Sequence, residues 1–150
     1  MNNSFKIISP NSDEEFKRYY HFRWKLLRKP YAKEPGTEID QFEDISYHQM
    51  ILNHDEKILA VGRIHFLSKN KDAAQIRYMA VDNQYSNKGF GTKMLISLEI
   101  YAKKNKIKKI VLNSREHAIG FYLKNGYKKI KKTHILYNQI HHWLMEKEIT

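Results

Sequence analysis

Between residues 74 and 112 the chain carries the pattern that most restricts its fold: a strand, a glycine-bearing loop, an amphipathic helix and another strand. Ala74 to Val81 reads as a strand and Asp82 to Lys88 as a polar loop. Met94, Leu95, Leu98, Tyr101 and Ala102 then recur on one helical face. Ile107 to Leu112 reads as the next strand. A helix joining two strands of one sheet makes them parallel, with a right-handed crossover. Upstream the rhythm differs. Tyr47 to Leu52, Ile58 to Leu67 and Ala74 to Val81 are separated by the polar turns Asn53 to Lys57 and Ser68 to Asp72, which predicts an antiparallel meander. The sheet is therefore mixed.

The flanks extend it. Phe5 to Ile8 is a short apolar strand. Ser12 with Glu15 three residues later is a capping box, and Phe16, Tyr20, Trp24 and Leu27 follow on one helical face. Pro30 stops that helix. Residues 30–45 read as irregular, with a short helix around Glu38 to Asp44. Near the end, Ala118, Phe121 and Tyr122 mark a short helix stopped by Asn125-Gly126, and strands follow near Tyr127 to Ile135 and Ile140 to Ile149. The expected class is α/β: a mixed sheet with helices on its faces. A ligand is expected where strand carboxyl ends meet helix amino ends.

No linker, repeat or low-complexity tract interrupts the 150 residues, and the three prolines lie outside the strongest periodic segments. One domain over residues 1–150 is expected. No apolar run approaches the ~20 residues of a membrane-spanning helix, and no export-type apolar stretch occupies Met1 to Pro10. A cytoplasmic protein with no membrane partner is expected. The absence of cysteine excludes disulfides, thiolate metal sites and a cysteine nucleophile. Lys and Arg number 27 against 16 Asp and Glu, a net charge of +11 that attracts polyanions. Lysine is also an ordinary surface residue in a chain rich in Lys, Asn and Ile, so charge alone selects no partner.

Ser86-Asn87-Lys88-Gly89-Phe90-Gly91-Thr92 is the most informative segment. It joins a strand to a helix whose first turn leaves N–H groups without internal partners. Those donors and the positive end of the helix dipole make an anion site. Thr92-Lys93 after Gly91 is the wrong order for a Walker A loop, and Met94 stands where a dinucleotide fingerprint needs its third glycine. A plain glycine-rich turn remains the alternative.

Ala80-Val81 followed by Ser86-x-x-Gly89-x-Gly91 resembles the acyl-CoA motif of the GCN5-related N-acetyltransferase (GNAT) family. Ala118-x-x-Phe121-Tyr122-x-Lys124-x-Gly126-Tyr127 is similar to that family's second hallmark. Two positions depart from the family pattern: Ser86 replaces the usual Gln or Arg, and Asn87 a common Gly. The resemblance implies a GNAT-like acyl-CoA N-acyltransferase fold, with a central, mostly antiparallel sheet and a splayed parallel strand pair. It implies acetyl transfer from acetyl-CoA to an amine of a small molecule or peptide. The backbone of Met79, Ala80 and Val81 would pair with the pantetheine arm, residues 86 to 92 would hold the pyrophosphate, and Asn113 would contact the arm. Tyr122 takes the position of the acid that protonates the leaving thiolate; the alternative is a core tyrosine on the stripe with Ala118 and Phe121.

The base is not singled out. His65, Glu116 and His117 are candidates by location. His141 and His142 point to opposite strand faces, so no metal site is expected. The resemblance implies that acceptor contacts come from the loop after the first helix and the neighbouring C-terminal strands, here Tyr31, Glu34, Glu38, Asp40 and Glu43, with Tyr31 and Glu38 foremost; the alternative is a solvated acidic loop. Acidic residues there would favour a cationic amine. The lysine clusters 103–109 and 128–132 support a competing reading, a basic nucleic-acid-binding module without catalysis. Beside the acyltransferase reading, a nucleic-acid partner is not expected. Exposed terminal strands leave a homodimer open.

Overall fold

A computed structural model describes residues 4–67, 69 and 72–149. Its strands are β1 (Phe5–Ile8), β2 (Tyr47–Asn53), β3 (Ile58–Phe66), β4 (Ala73–Val81), β5 (Lys109–Arg115), β6 (Lys128–Leu136) and β7 (Ile140–Glu148). Its helices are α1 (Asp13–Leu27), α2 (Phe90–Lys104) and α3 (Ile119–Lys124). The strands hydrogen-bond in the order β1-β2-β3-β4-β5-β7-β6. β4 and β5 are parallel, as the helical crossover requires, while β1–β2, β2–β3, β5–β7 and β6–β7 are antiparallel. The parallel ladder runs from Ala73↔Lys109 to Ile76↔Leu112. The expected turn at Ser68 to Asp72 falls partly on Ser68, Asn70 and Lys71, which lie outside the described residues.

The chain divides into two compact units, Met1–His65 with Tyr78–Leu98 and Phe66–Arg77 with Glu99–Thr150. In the first unit α1 begins with the expected capping box: Ser12 Oγ accepts from Glu15 N at 3.1 Å, and Glu15 Oε1 accepts from Ser12 N at 3.2 Å. Its buried line is Tyr19 and Arg23, with Phe16, Tyr20 and Leu27 only partly covered, so the apolar stripe read from the sequence is rotated toward a buried cation. Tyr19 packs with Met50, Leu52, Ile58, Val61 and Ala80. Around Gly62 of β3 the backbone is approached so closely that a Cβ would lie 2.9 Å from Met94 Cγ and 3.0 Å from Leu98 Cδ1. Glycine is what lets α2 seat on β3.

Between α1 and β2 the chain is irregular, as expected. The helix anticipated around Glu38 to Asp44 is only a 3-10 turn at Glu43–Ile45, because the carboxylates of Asp40 and Glu43 bond local backbone N–H groups instead. Another 3-10 turn, Asn83–Tyr85, occupies the segment expected as loop; Asp82 caps it by accepting from Gln84 N at 2.9 Å.

In the second unit β7 lies between β5 and β6, with Leu112 opposite Met145. Ala74, Ile76, Ala102, Ile110, Leu112, Tyr127 and Met145 are buried. The strand expected at 107–112 is displaced to Lys109–Arg115. Ile107 N–H is spent on Ala102 O, and Lys106 turns at φ 61°, so these residues close α2 rather than open β5. Asn113 thus sits inside β5, exposed and opposite Leu144. Gly126, at φ 91°, ends α3 as the sequence indicates. No described helix is long and apolar enough to cross a membrane.

Candidate active site

The first unit carries the glycine-bearing loop before α2. Ser86 N–H bonds Asn83 O at 3.4 Å, and the first helical bond of α2 runs from Lys93 N to Gly89 O at 3.0 Å. Between them, the N–H groups of Asn87, Lys88, Gly89, Phe90, Gly91 and Thr92 meet no acceptor among the described residues. Asn87 (φ 61°) and Gly89 (φ 86°) both take the left-handed conformation that folds consecutive N–H groups into an anion-binding concavity. No atom lies within 4 Å of a Cβ built at Gly89, so the approach to the loop is open there. Ser86 Oγ donates to Asn83 O at 2.9 Å. The Ser86 hydroxyl is therefore engaged within the turn. Lys88 is exposed, and its ammonium stands 5.9 Å from the centre of the Tyr85 ring. These donors fit a diphosphate: six main-chain N–H groups, a helix amino end and no acidic residue in the first helical turn.

Met79, Ala80 and Val81 end β4, with Ala80 buried and its neighbours half-buried. Just before them Tyr78 adopts φ 57° inside the strand, an uncommon conformation for an aromatic residue. Its ring is flanked by three guanidinium groups, Arg23 at 4.1 Å, Arg63 at 5.0 Å and Arg28 at 5.6 Å from the centroid. Arg23 and Arg63 have no solvent exposure. Glu43 Oε2 accepts from the Nη1 of both at 2.9 Å, and Arg63 also grips Asp40, Nη1 to Oδ1 at 2.6 Å and Nη2 to Oδ2 at 3.1 Å. Tyr19 OH accepts from Arg23 Nη2 at 3.0 Å and lies 2.8 Å from His48 Nδ1; His48 Nε2 lies 2.8 Å from Glu43 O. A tautomer with the proton on Nε2 satisfies both His48 contacts without charge.

Burial lowers the His48 pKa from its usual 6.5, and burial pushes the Tyr19 phenol up to about 12. A histidine with a depressed folded pKa binds fewer protons folded than unfolded below about 6.5. Its contribution to stability is whole above that pH and shrinks as pH falls through it. Denaturant midpoints between pH 7.5 and 5 are expected to decline, and His48→Gln to flatten the decline. An equal decline in both proteins would contradict this assignment.

The cluster redefines the acidic loop. Asp40 and Glu43 are neutralised by buried arginines rather than offered to a cationic acceptor. Glu38 is buried with its Oε1 accepting from Gly36 N at 2.7 Å, and its carbonyl accepts from Arg23 at 3.0 Å. Tyr31 is half-buried and Glu34 exposed. His65 is buried and stacked on Phe42 at 4.6 Å, with Arg63 Nη2 3.4 Å from its Nδ1. Arg23 and Arg63 were not identified from the sequence; the available sign was a cation standing within an apolar stretch, Tyr19 to Leu27 for one and Val61 to Ile64 for the other.

The second unit holds the remaining candidates. Tyr122 is 8% exposed, its ring edge-on to Phe121 at 5.0 Å and to Tyr127 at 5.8 Å. Burial raises its pKa well above the ordinary 10. Tyr127 OH is spent on Glu99 Oε2 at 2.8 Å, whereas the Tyr122 hydroxyl makes no hydrogen bond among the described residues. Glu116 and His117 lie exposed in the 3-10 turn that follows β5. His142 is buried and stacked on His134 at 4.3 Å. No cluster of three His, Cys, Asp or Glu suited to a metal ion occurs among the described residues.

The family model described as Acetyltransferase (GNAT) family matches residues 14–127, and the chain belongs to that family of acyl-CoA N-acyltransferases. It is 25% identical over 144 residues to the uncharacterized N-acetyltransferase YjcF of Bacillus subtilis strain 168, covering 95% of this chain and 99% of that protein. Its fold is similar to that of Escherichia coli ElaA, with a TM-score of 0.80, 15% identity, and 97% and 99% of the two chains covered. It is also similar to an acetyltransferase of the GNAT family from Staphylococcus aureus MU50, with a TM-score of 0.77, 17% identity, and 98% and 100% covered.

Proposed function

We propose that the chain transfers an acetyl group from acetyl-CoA to a primary amine of a small molecule or peptide by direct attack in a ternary complex, residues 1–150 acting as one catalytic domain. The observation that carries this reading is the run of six unpartnered N–H groups from Asn87 to Thr92. Those amides hold the diphosphate of the donor. The backbone of Met79, Ala80 and Val81 pairs with its pantetheine arm in strand fashion, and Asn113 offers the arm an exposed amide. Tyr31 is assigned to the acceptor. Glu38 acts one step back, by fixing the Gly36 turn.

The amine nitrogen attacks the thioester carbonyl, so a C–N bond forms and the C–S bond breaks. The amine loses a proton to a base or water chain, and the Tyr122 phenol delivers one to the departing sulfur. An ordinary alkylamine has pKa ~10.4 and a thiol ~8.5, so both proton movements lower the barrier near neutral pH.

Thiol release from acetyl-CoA over a panel of amines, amino acids and peptides tests the reading; turnover with at least one acceptor is expected. Gly89→Val is expected to weaken acetyl-CoA binding about tenfold or more. A β-branched residue at φ 86° costs about 1–3 kcal/mol of strain, and its side chain occupies the approach to the amides. Calorimetric titration of both proteins measures it, and equal affinities would remove the loop from the donor site.

A further inference from the structure

The surplus of positive charge is confined to one unit. Phe66–Arg77 with Glu99–Thr150 holds 15 Lys and Arg against 5 Asp and Glu, a net +10; Met1–His65 with Tyr78–Leu98 holds 12 against 11, a net +1. A composition rich in lysine everywhere would not divide so unevenly. Within the basic unit, β6 ends the sheet order and carries Lys128, Lys129, Lys131 and Lys132, all exposed, with no acidic residue in the strand. Neighbouring strand residues face opposite ways, so these pairs charge both faces of the edge. Lys103, Lys104, Lys106 and Lys108, at the end of α2 and in the turn after it, are exposed as well. The unit's acids are partly spent, Glu146 on Lys109 at 3.4 Å and Glu99 on Lys147 at 3.1 Å. None of the four β6 lysines forms an ion pair among the described residues.

We propose that the β6 edge docks a nucleic-acid duplex through its phosphates. Lysine supplies flexible point charges, suited to a phosphate backbone and without the planar fork that reads guanine. Single strands would need exposed aromatic platforms, and the described exposed apolar side chains of this unit are Phe66, Ile100, Leu123, Ile130 and Ile135. Phe66 is stacked on Tyr101 at 5.8 Å, and Trp143 lies under the Lys129 ammonium at 4.6 Å. The four lysines fall within five consecutive residues of β6, a span of about 13 Å along the edge. Like charge along this edge also opposes pairing with a second copy of the chain. Read along the sequence, the lysines select no partner; gathered on one unit and one edge, they favour a polyphosphate.

Fluorescence anisotropy of a labelled DNA duplex of about two helical turns, between 50 and 200 mM salt, tests the proposal. The wild type is expected to bind with steep salt dependence. Joint replacement of Lys128, Lys129, Lys131 and Lys132 by Gln is expected to weaken binding tenfold or more and reduce the slope of log K against log salt by about 0.9 per lost phosphate contact. Removing Lys17, Lys25, Lys29 and Lys33 from the first unit is expected to leave affinity nearly unchanged. Both variants should keep the wild-type melting temperature and acetyl-CoA affinity, which separates this docking surface from the donor site. The proposal is overturned if no duplex binds, if both variants lose affinity alike, or if single strands, phosphatidylserine vesicles or polyglutamate bind more tightly than the duplex.

Discussion

Replacing Glu43 by alanine is expected to lower the melting temperature by about 10 °C. Breaking a buried ion pair costs about 3–5 kcal/mol, and each kcal/mol shifts a domain of this size by roughly 2–4 °C. Three donors converge on Glu43 Oε2: Arg23 Nη1, Arg63 Nη1 and the Asp40 N–H. Asp40 would remain to balance Arg63, but Arg23 would keep a buried charge with only neutral partners, Tyr19 OH and Glu38 O. Removing charge from both partners tests this cause. Arg23→Met with Glu43→Leu should recover more than half of the loss, because uncharged residues of similar volume leave no buried charge stranded. A shift below about 2 °C for Glu43→Ala would mean that water reaches Arg23 and that the cluster is not a structural core.

Tyr122→Phe is expected to cut kcat about 10²- to 10³-fold while leaving KM for acetyl-CoA within about threefold, the signature of a proton donor acting in the transition state. The substitution keeps the ring and its edge contacts with Phe121 and Tyr127. It removes a hydroxyl that makes no described hydrogen bond, so stability should hardly change. Burial holds the phenol pKa above its ordinary 10, so the group stays protonated through neutral and mildly alkaline pH. The alkaline side of the kcat profile should therefore show no loss near pH 10 attributable to it. Steady-state kinetics on both proteins decide the matter, and a kcat unchanged within about twofold would return Tyr122 to the core.

Much of this architecture was legible in the residues because the determining signals are local. The Ser12 and Glu15 capping box, the Asn125-Gly126 stop and the stripe from Met94 to Ala102 each act within a few positions, and the structure places a helix start, a helix end and a helix there. The left-handed backbone before α2 has an equally local origin, a glycine ahead of a helix start. Arg23 was not. An arginine inside an aromatic stripe reads as an interruption until Glu43, twenty positions away, is brought beside it. The pairing of Asp40 and Glu43 with Arg63 and Arg23 was hidden in the same way, because the partners lie about twenty positions away. The left-handed turn at Tyr78 leaves no trace in local composition, because aromatic residues adopt it only where tertiary contacts compel them.

The most direct test of the acyltransferase account is an amide NMR titration of the whole chain with acetyl-CoA. The account predicts saturable shifts centred on the N–H resonances of Asn87, Lys88, Gly89, Phe90, Gly91 and Thr92, with one affinity shared by all six. No saturable shift in those resonances, or saturation confined to other residues, would contradict it.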